Sequence, residues 1–199
     1  MWDRAILKAN AKAALRERYW NAFLVCVLAS VINGNFLDVV IRRDWDYSKI
    51  VLDPFGYGMS VMRAYEPLRF LLLLFGIFVG IPILVGVARY FVRNHFGAAD
   101  TGTLFSGFRY GYLNSIGAVF VTRIFIGLWY LLLVVPGIVK TLEYSMVGFL
   151  LSDNPELPGG RAREISRMMT AGEKGSILVL WLSFIGWYFL AGIAGAFLA

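Results

Sequence analysis

The sequence predicts an all-α protein: a polytopic transmembrane helical bundle of about five spans, with amphipathic interfacial helices at the N-terminus and in the 160s. Three observations carry this. Hydrophobic residues make up 59% of the 199 positions and charged ones only 16%, against roughly 45–50% and about 25% in soluble domains. The apolar residues are gathered in blocks, several of which reach the ~20 residues needed to cross a ~30 Å hydrocarbon layer. The period-two alternation over ~10-residue segments that marks a membrane β-barrel is missing. Residues 1–199 read as one membrane domain.

The first element is a basic amphipathic helix over residues 1–19. Arg4, Lys8, Lys12 and Arg16 recur every four residues and share one broad face, with Trp2, Ile6, Ala9 and Ala13 on another. Such a helix either lies on an anionic lipid surface, with the four cations as headgroup contacts, or only flanks the first span and sets its topology. Tyr19-Trp20 opens that span, 20–36, at the level of an interfacial aromatic belt, and Asn33-Gly34-Asn35 closes it. No small-residue cleavage site is evident, so the block reads as a retained helix rather than a signal peptide. Cys26 is the only cysteine, which excludes an intramolecular disulfide.

Residues 37–69 read as an external loop with balanced charge, turn signals at Asp53-Pro54 and Gly56-Tyr57-Gly58, and no calcium-loop spacing. The second span is 70–88, with Gly76 and Gly80 on one face and Pro82 as a kink. Residues 89–111 form a basic, phenylalanine-rich loop that lies on the membrane or tucks between helices. Its His95 is the only histidine and has no metal-binding companion. The third span, 112–135, contains Arg123. The fourth, 138–151, contains Lys140 and Glu143. Pro136 and Gly137 between them read as the helix break, a tight turn, and the whole stretch Ile124–Pro155 reads as the organising feature of the chain. A short amphipathic helix follows, with Ala162, Ile165, Met168 and Met169 as its apolar face. The fifth span is 176–197.

The basic residues are distributed unevenly. The N-terminal segment, residues 89–111 and residues 152–175 hold five, three and four, twelve in all, against five in 37–69. The positive-inside rule then places the N-terminus in the cytoplasm.

Several runs resemble a known family. They are Met1-Trp2 with its basic helix, Tyr19-Trp20, Phe105-Ser106-Gly107-Phe108, Leu133 to Lys140 (LVVPGIVK), Tyr144-Ser145-Met146, Asp153-Asn154-Pro155 and Leu182 to Trp187 (LSFIGW). The chain resembles the uncharacterised prokaryotic integral membrane proteins of domain-of-unknown-function family 975. That resemblance implies a multi-pass bundle of the plasma membrane, usually with six spans, and no established activity. This sequence stops where a sixth span is expected.

Arg123, Lys140 and Glu143 form the candidate intramembrane polar site, as the ionisable residues that fall within spans. Lys140 and Glu143, three apart, either pair as part of a site for a headgroup, ion or partner, or snorkel to the outer interface. Arg123 is placed apart from them, near mid-depth. No HExxH, P-loop, Ser-His-Asp set or intramembrane carboxylate pair appears, and no cofactor is implied. The positive charge follows the loops rather than one domain face, which argues against nucleic acid as a partner. The function expected is a non-enzymatic accessory or scaffold subunit that engages lipids, membrane proteins or its own copies. A small transporter or channel component and a lipid-modifying enzyme are the alternatives.

Overall fold

The computed structural model describes residues 3–16, 18–32, 52–53, 56 and 66–198. Met1-Trp2, the Asn33-Gly34-Asn35 stop and most of the 37–69 loop lie outside the described residues. Within them all regular structure is helical. The order is α1 (Arg4–Arg16), α2 (Tyr19–Ile32), α3 (Glu66–Phe75), a π-helical stretch (Gly76–Gly80), α4 (Ile81–His95) and a 3₁₀ segment (Thr101–Phe108). Then come α5 (Tyr112–Leu132), α6 (Val134–Glu143), α7 (Val147–Asp153), α8 (Gly159–Met169), α9 (Lys174–Leu182) and α10 (Ile185–Leu198).

Four stretches have the length and apolarity to cross a membrane: Phe70–His95, Tyr112–Leu132, Val134–Asp153 and Lys174–Ala191. The apolar helix Tyr19–Ile32, at 14 residues, is shorter. The protein is a helical membrane bundle. The second helical stretch runs past residue 88 to His95, so Arg89 is a residue of the helix rather than of the loop. The last two spans are each built from two helices, with breaks at 144–146 and at Ser183–Phe184.

The helix at the centre is α4, not the stretch Ile124–Pro155. One side of α4, Ile81 and Val85, packs with Ile116 and Val119 of α5, Val147 and Leu151 of α7, and Ala162 of α8. The other, Ile83 and Tyr90, packs with Val25 of α2 and Leu104 of the 3₁₀ segment. A helix apolar nearly all round is a buried helix, and the sequence of α4 has that character at its first half.

Pro82 shapes the entry to α4. Its ring nitrogen has no hydrogen to give the Phe78 carbonyl, one turn back. The chain widens just before it into the π-helical stretch, where the Ile81 N–H reaches the Gly76 carbonyl. The Phe78 carbonyl instead accepts from Tyr112 Oη at 2.9 Å. A carbonyl left open in a span is thus satisfied by a neighbouring element. The 3₁₀ segment lies against the same helix so closely that two glycines are required. A Cβ at Gly86 would strike the Leu104 carbonyl, and a Cβ at Gly107 the Pro82 carbonyl.

The turn expected at Pro136-Gly137 lies three residues earlier, at Leu133. Leu133 is extended, with φ −160° and ψ 145°, and α6 begins at Val134. Pro136 therefore sits in the first turn of a helix, where its missing N–H has no helical acceptor to satisfy. Gly137 does a different job: a Cβ there would come within 2.5 Å of the Tyr130 ring, so glycine lets α6 fold back against α5.

The 160s helix also differs from expectation. The face that α8 buries does not include Met168 and Met169, both of which are exposed. It packs into the bundle through Ala162, Ser166 and, just beyond its end, Thr170, all 0% exposed. Small residues every four positions let helices approach closely, and a rule based on apolar periodicity looks past serine and threonine.

Candidate functional site

The three charges singled out by sequence separate into two places. Glu143 ends α6 and is only 5% exposed. Lys140 Nζ meets its Oε2 at 2.6 Å and Lys174 Nζ meets its Oε1 at 2.5 Å. Each carboxylate oxygen has its own ammonium, and Lys174 comes from the start of α9. Glu143 is thus buried and doubly paired rather than open to solvent. Lys140 also faces the rings of Trp129 and Tyr144, at 5.3 and 5.9 Å from their centroids, which a cation favours.

Ser166 completes this junction. Its Oγ donates to the Glu143 carbonyl at 2.6 Å and accepts from the Met146 N–H at 3.2 Å. Those are backbone groups left open by the break between α6 and α7. The sequence reading counted Lys174 among the topology cations. Its pairing with Glu143 spans 31 positions, and neither residue's neighbours signal it. What the sequence does signal is a demand: an acid buried in a span needs a cation.

Arg89 is the other residue that sequence reasoning missed. It is buried, its Nε donates to the Ser152 carbonyl at 2.7 Å, and its guanidinium lies 5.5 Å from the centre of the Tyr110 ring. It ties α4 to α7 and is a structural contact.

Arg123 stands apart from Glu143 and makes no hydrogen bond or ion pair with any described residue. It is the twelfth of the 21 residues of α5, and its side chain is exposed. A charge at mid-span costs roughly 2.5–3.5 kcal/mol on insertion scales unless it meets a partner or water. It lies on a cavity of about 380 Å³ between α4, α5 and the α6–α7 turn, walled by Leu84, Phe91, Ile126 and Phe149, with Tyr144 and Ser145 as polar lining. That volume falls within the roughly 300–1,000 Å³ of small-molecule sites.

The lipid-surface candidates lie on α1. Arg4, Lys8, Lys12 and Arg16 are exposed, as are Ile6 and Leu7. Nothing on α1 is fully buried. The helix is held at its end: Asn94 Nδ2 donates to the Ala14 carbonyl at 3.1 Å, and Arg18, just beyond, donates to the Ala99 carbonyl at 2.6 Å. Lys8 Nζ lies 5.0 Å from the Phe184 ring centre, at the break between α9 and α10. Among the described residues, no group of three or more His, Cys, Asp or Glu is placed to hold a metal ion.

Residues 59–197, which are 139 of the 199, match the family described as "Protein of unknown function (DUF975)", and the chain belongs to that family. The match takes in the runs at 105–108, 133–140, 144–146, 153–155 and 182–187, while Met1-Trp2 and Tyr19-Trp20 lie outside it. No curated protein and no solved structure matches the chain.

Proposed function

We propose that this chain is a non-enzymatic accessory protein of the prokaryotic plasma membrane, with its N-terminus in the cytoplasm, that works by engaging other membrane proteins and anionic lipid. The observation that carries this is the last span. In Lys174–Ala191 only 6% of the most apolar window is buried within the chain, against 28–33% in the other three. Trp187, Tyr188 and Phe189 are each at least 70% exposed. A span so little packed on its own bundle has its faces open to a partner's helices.

The open basic face of α1 supports the lipid half of the reading, since an exposed stripe of cations beside exposed Ile6 and Leu7 suits an anionic membrane surface. The charge asymmetry supports the orientation even after the structure reassigns two cations. With buried Arg89 and paired Lys174 set aside, ten remain on the proposed cytoplasmic side against five.

Extraction in mild detergent followed by affinity purification tests the proposal. A second protein at fixed stoichiometry, lost when Trp187, Tyr188 and Phe189 are replaced by alanine, is the expected result. Purified single chains that turn over a lipid substrate would overturn it.

A further inference from the structure

We infer that the cavity beside Arg123 is a binding site for one anionic phospholipid, its phosphate on the guanidinium and one acyl chain in the groove. The site is distinct from the last span and from α1, so the inference stands or falls separately from what covers those surfaces.

Arg123 sits at the middle of α5, and the described groups that could neutralise or hydrogen-bond it are engaged elsewhere. Both oxygens of Glu143 are held by lysines. The Thr122 hydroxyl donates to the Ala118 carbonyl at 2.6 Å, and the Ser145 hydroxyl to the Leu142 carbonyl at 2.8 Å. A guanidinium surrounded by apolar residues in a span calls for a counter-charge or water, and the described residues provide no counter-charge.

The shape and chemistry of the groove then select the anion. Its walls are apolar: Leu84 and Phe91 on α4, Ile126 on α5, Phe149 on α7. An acyl chain is the matching occupant. Phe149 and Arg123 are exposed, so the groove is reached from the side, through the surface that faces lipid. Helical side chains lean toward the helix N-terminus, here the Tyr112 end of α5, so a headgroup at that membrane surface is the one best placed to meet Arg123. Guanidinium and phosphate pair through two parallel hydrogen bonds. Tyr144, on the same lining, carries a hydroxyl that can donate to a further phosphate oxygen.

The test is native mass spectrometry of the full chain released from bilayers of dioleoylphosphatidylglycerol mixed with dioleoylphosphatidylcholine. The expected result is one retained phosphatidylglycerol per chain. Retention falls at least tenfold in Arg123→Gln, and equally in Val87→Trp, which fills the groove without touching the charge. A variant with Arg4, Lys8, Lys12 and Arg16 all changed to glutamine keeps the bound lipid. Undiminished retention in either groove variant, equal retention of phosphatidylcholine, or displacement by oleate or inorganic phosphate alone would overturn the assignment. Val87→Trp preserves the test if Arg123→Gln fails to fold.

Discussion

Lys174 Nζ lies 2.5 Å from Glu143 Oε1, joining the first residue of α9 to the last of α6. With Lys140 on the other oxygen, this one carboxylate fixes where the final span leaves the bundle. Glu143→Gln leaves two lysines facing each other without their acid. Breaking a buried pair costs about 3–5 kcal/mol. The low end applies here because the Lys174 side chain is 35% exposed. A cost of about 3 kcal/mol lowers the melting temperature by roughly 6–12 °C in a chain of this size. Tryptophan fluorescence during heating in detergent reads it. Lys140→Met, which leaves the Lys174 contact in place, lowers it less.

Tyr112 and Pro82 are coupled through the Phe78 carbonyl. Tyr112→Phe removes the hydroxyl that accepts the role of the missing proline N–H, and costs about 1 kcal/mol in the parent chain. In a Pro82→Ala background residue 82 has an N–H of its own, and the same change costs measurably less. A double-mutant cycle on unfolding free energies gives the coupling; strict additivity would show that Tyr112 serves some other purpose.

Ser166 and Met168 invert the ordinary ranking of core residues. Ser166→Ala removes one hydroxyl from a fully buried position and strands the Met146 N–H and the Glu143 carbonyl. Its cost is about 1–3 kcal/mol. Met168→Ala, a far larger truncation at an exposed position, stays within about 0.5 kcal/mol. Chemical denaturation of both variants compares them directly.

Tyr90 carries a hydroxyl that is buried and finds no partner among the described residues. Its ring packs edge-on against Phe91, 5.4 Å between centroids. Tyr90→Phe keeps the ring and relieves the desolvated hydroxyl, so it raises stability by about 1 kcal/mol. A loss of stability would show that the hydroxyl is engaged.

Much of the fold was legible because bilayer crossing is a strong constraint. Blocks of leucine, valine and phenylalanine at spanning length have few other readings, and the helical class and family followed from them. The errors lie where a backbone detail or a small residue decides. Pro136 marks a helix start as readily as a turn, and only the extended Leu133 distinguishes the two. Ser166 and Thr170 are polar by any scale and yet fully buried, because their hydroxyls are satisfied by backbone carbonyls. Arg89 looked like a loop cation because apolarity fades at residue 88, while the helix continues to His95. Within the candidate site the sequence singled out Arg123, Lys140 and Glu143 as unusual. It gave no route to Lys174, whose partner is set by how α9 meets α6. Nor did it show the groove, which exists only once α4, α5 and the α6–α7 turn are assembled.

We propose that the last span docks another membrane protein, and the most direct measurement is the mass of the native particle. Extracted with its surrounding lipid by a membrane-solubilising polymer, the particle is predicted to contain a second protein at fixed stoichiometry, and alanine at Trp187, Tyr188 and Phe189 should release it. A particle holding one copy of this chain and lipid alone, unchanged by those substitutions, would contradict the account.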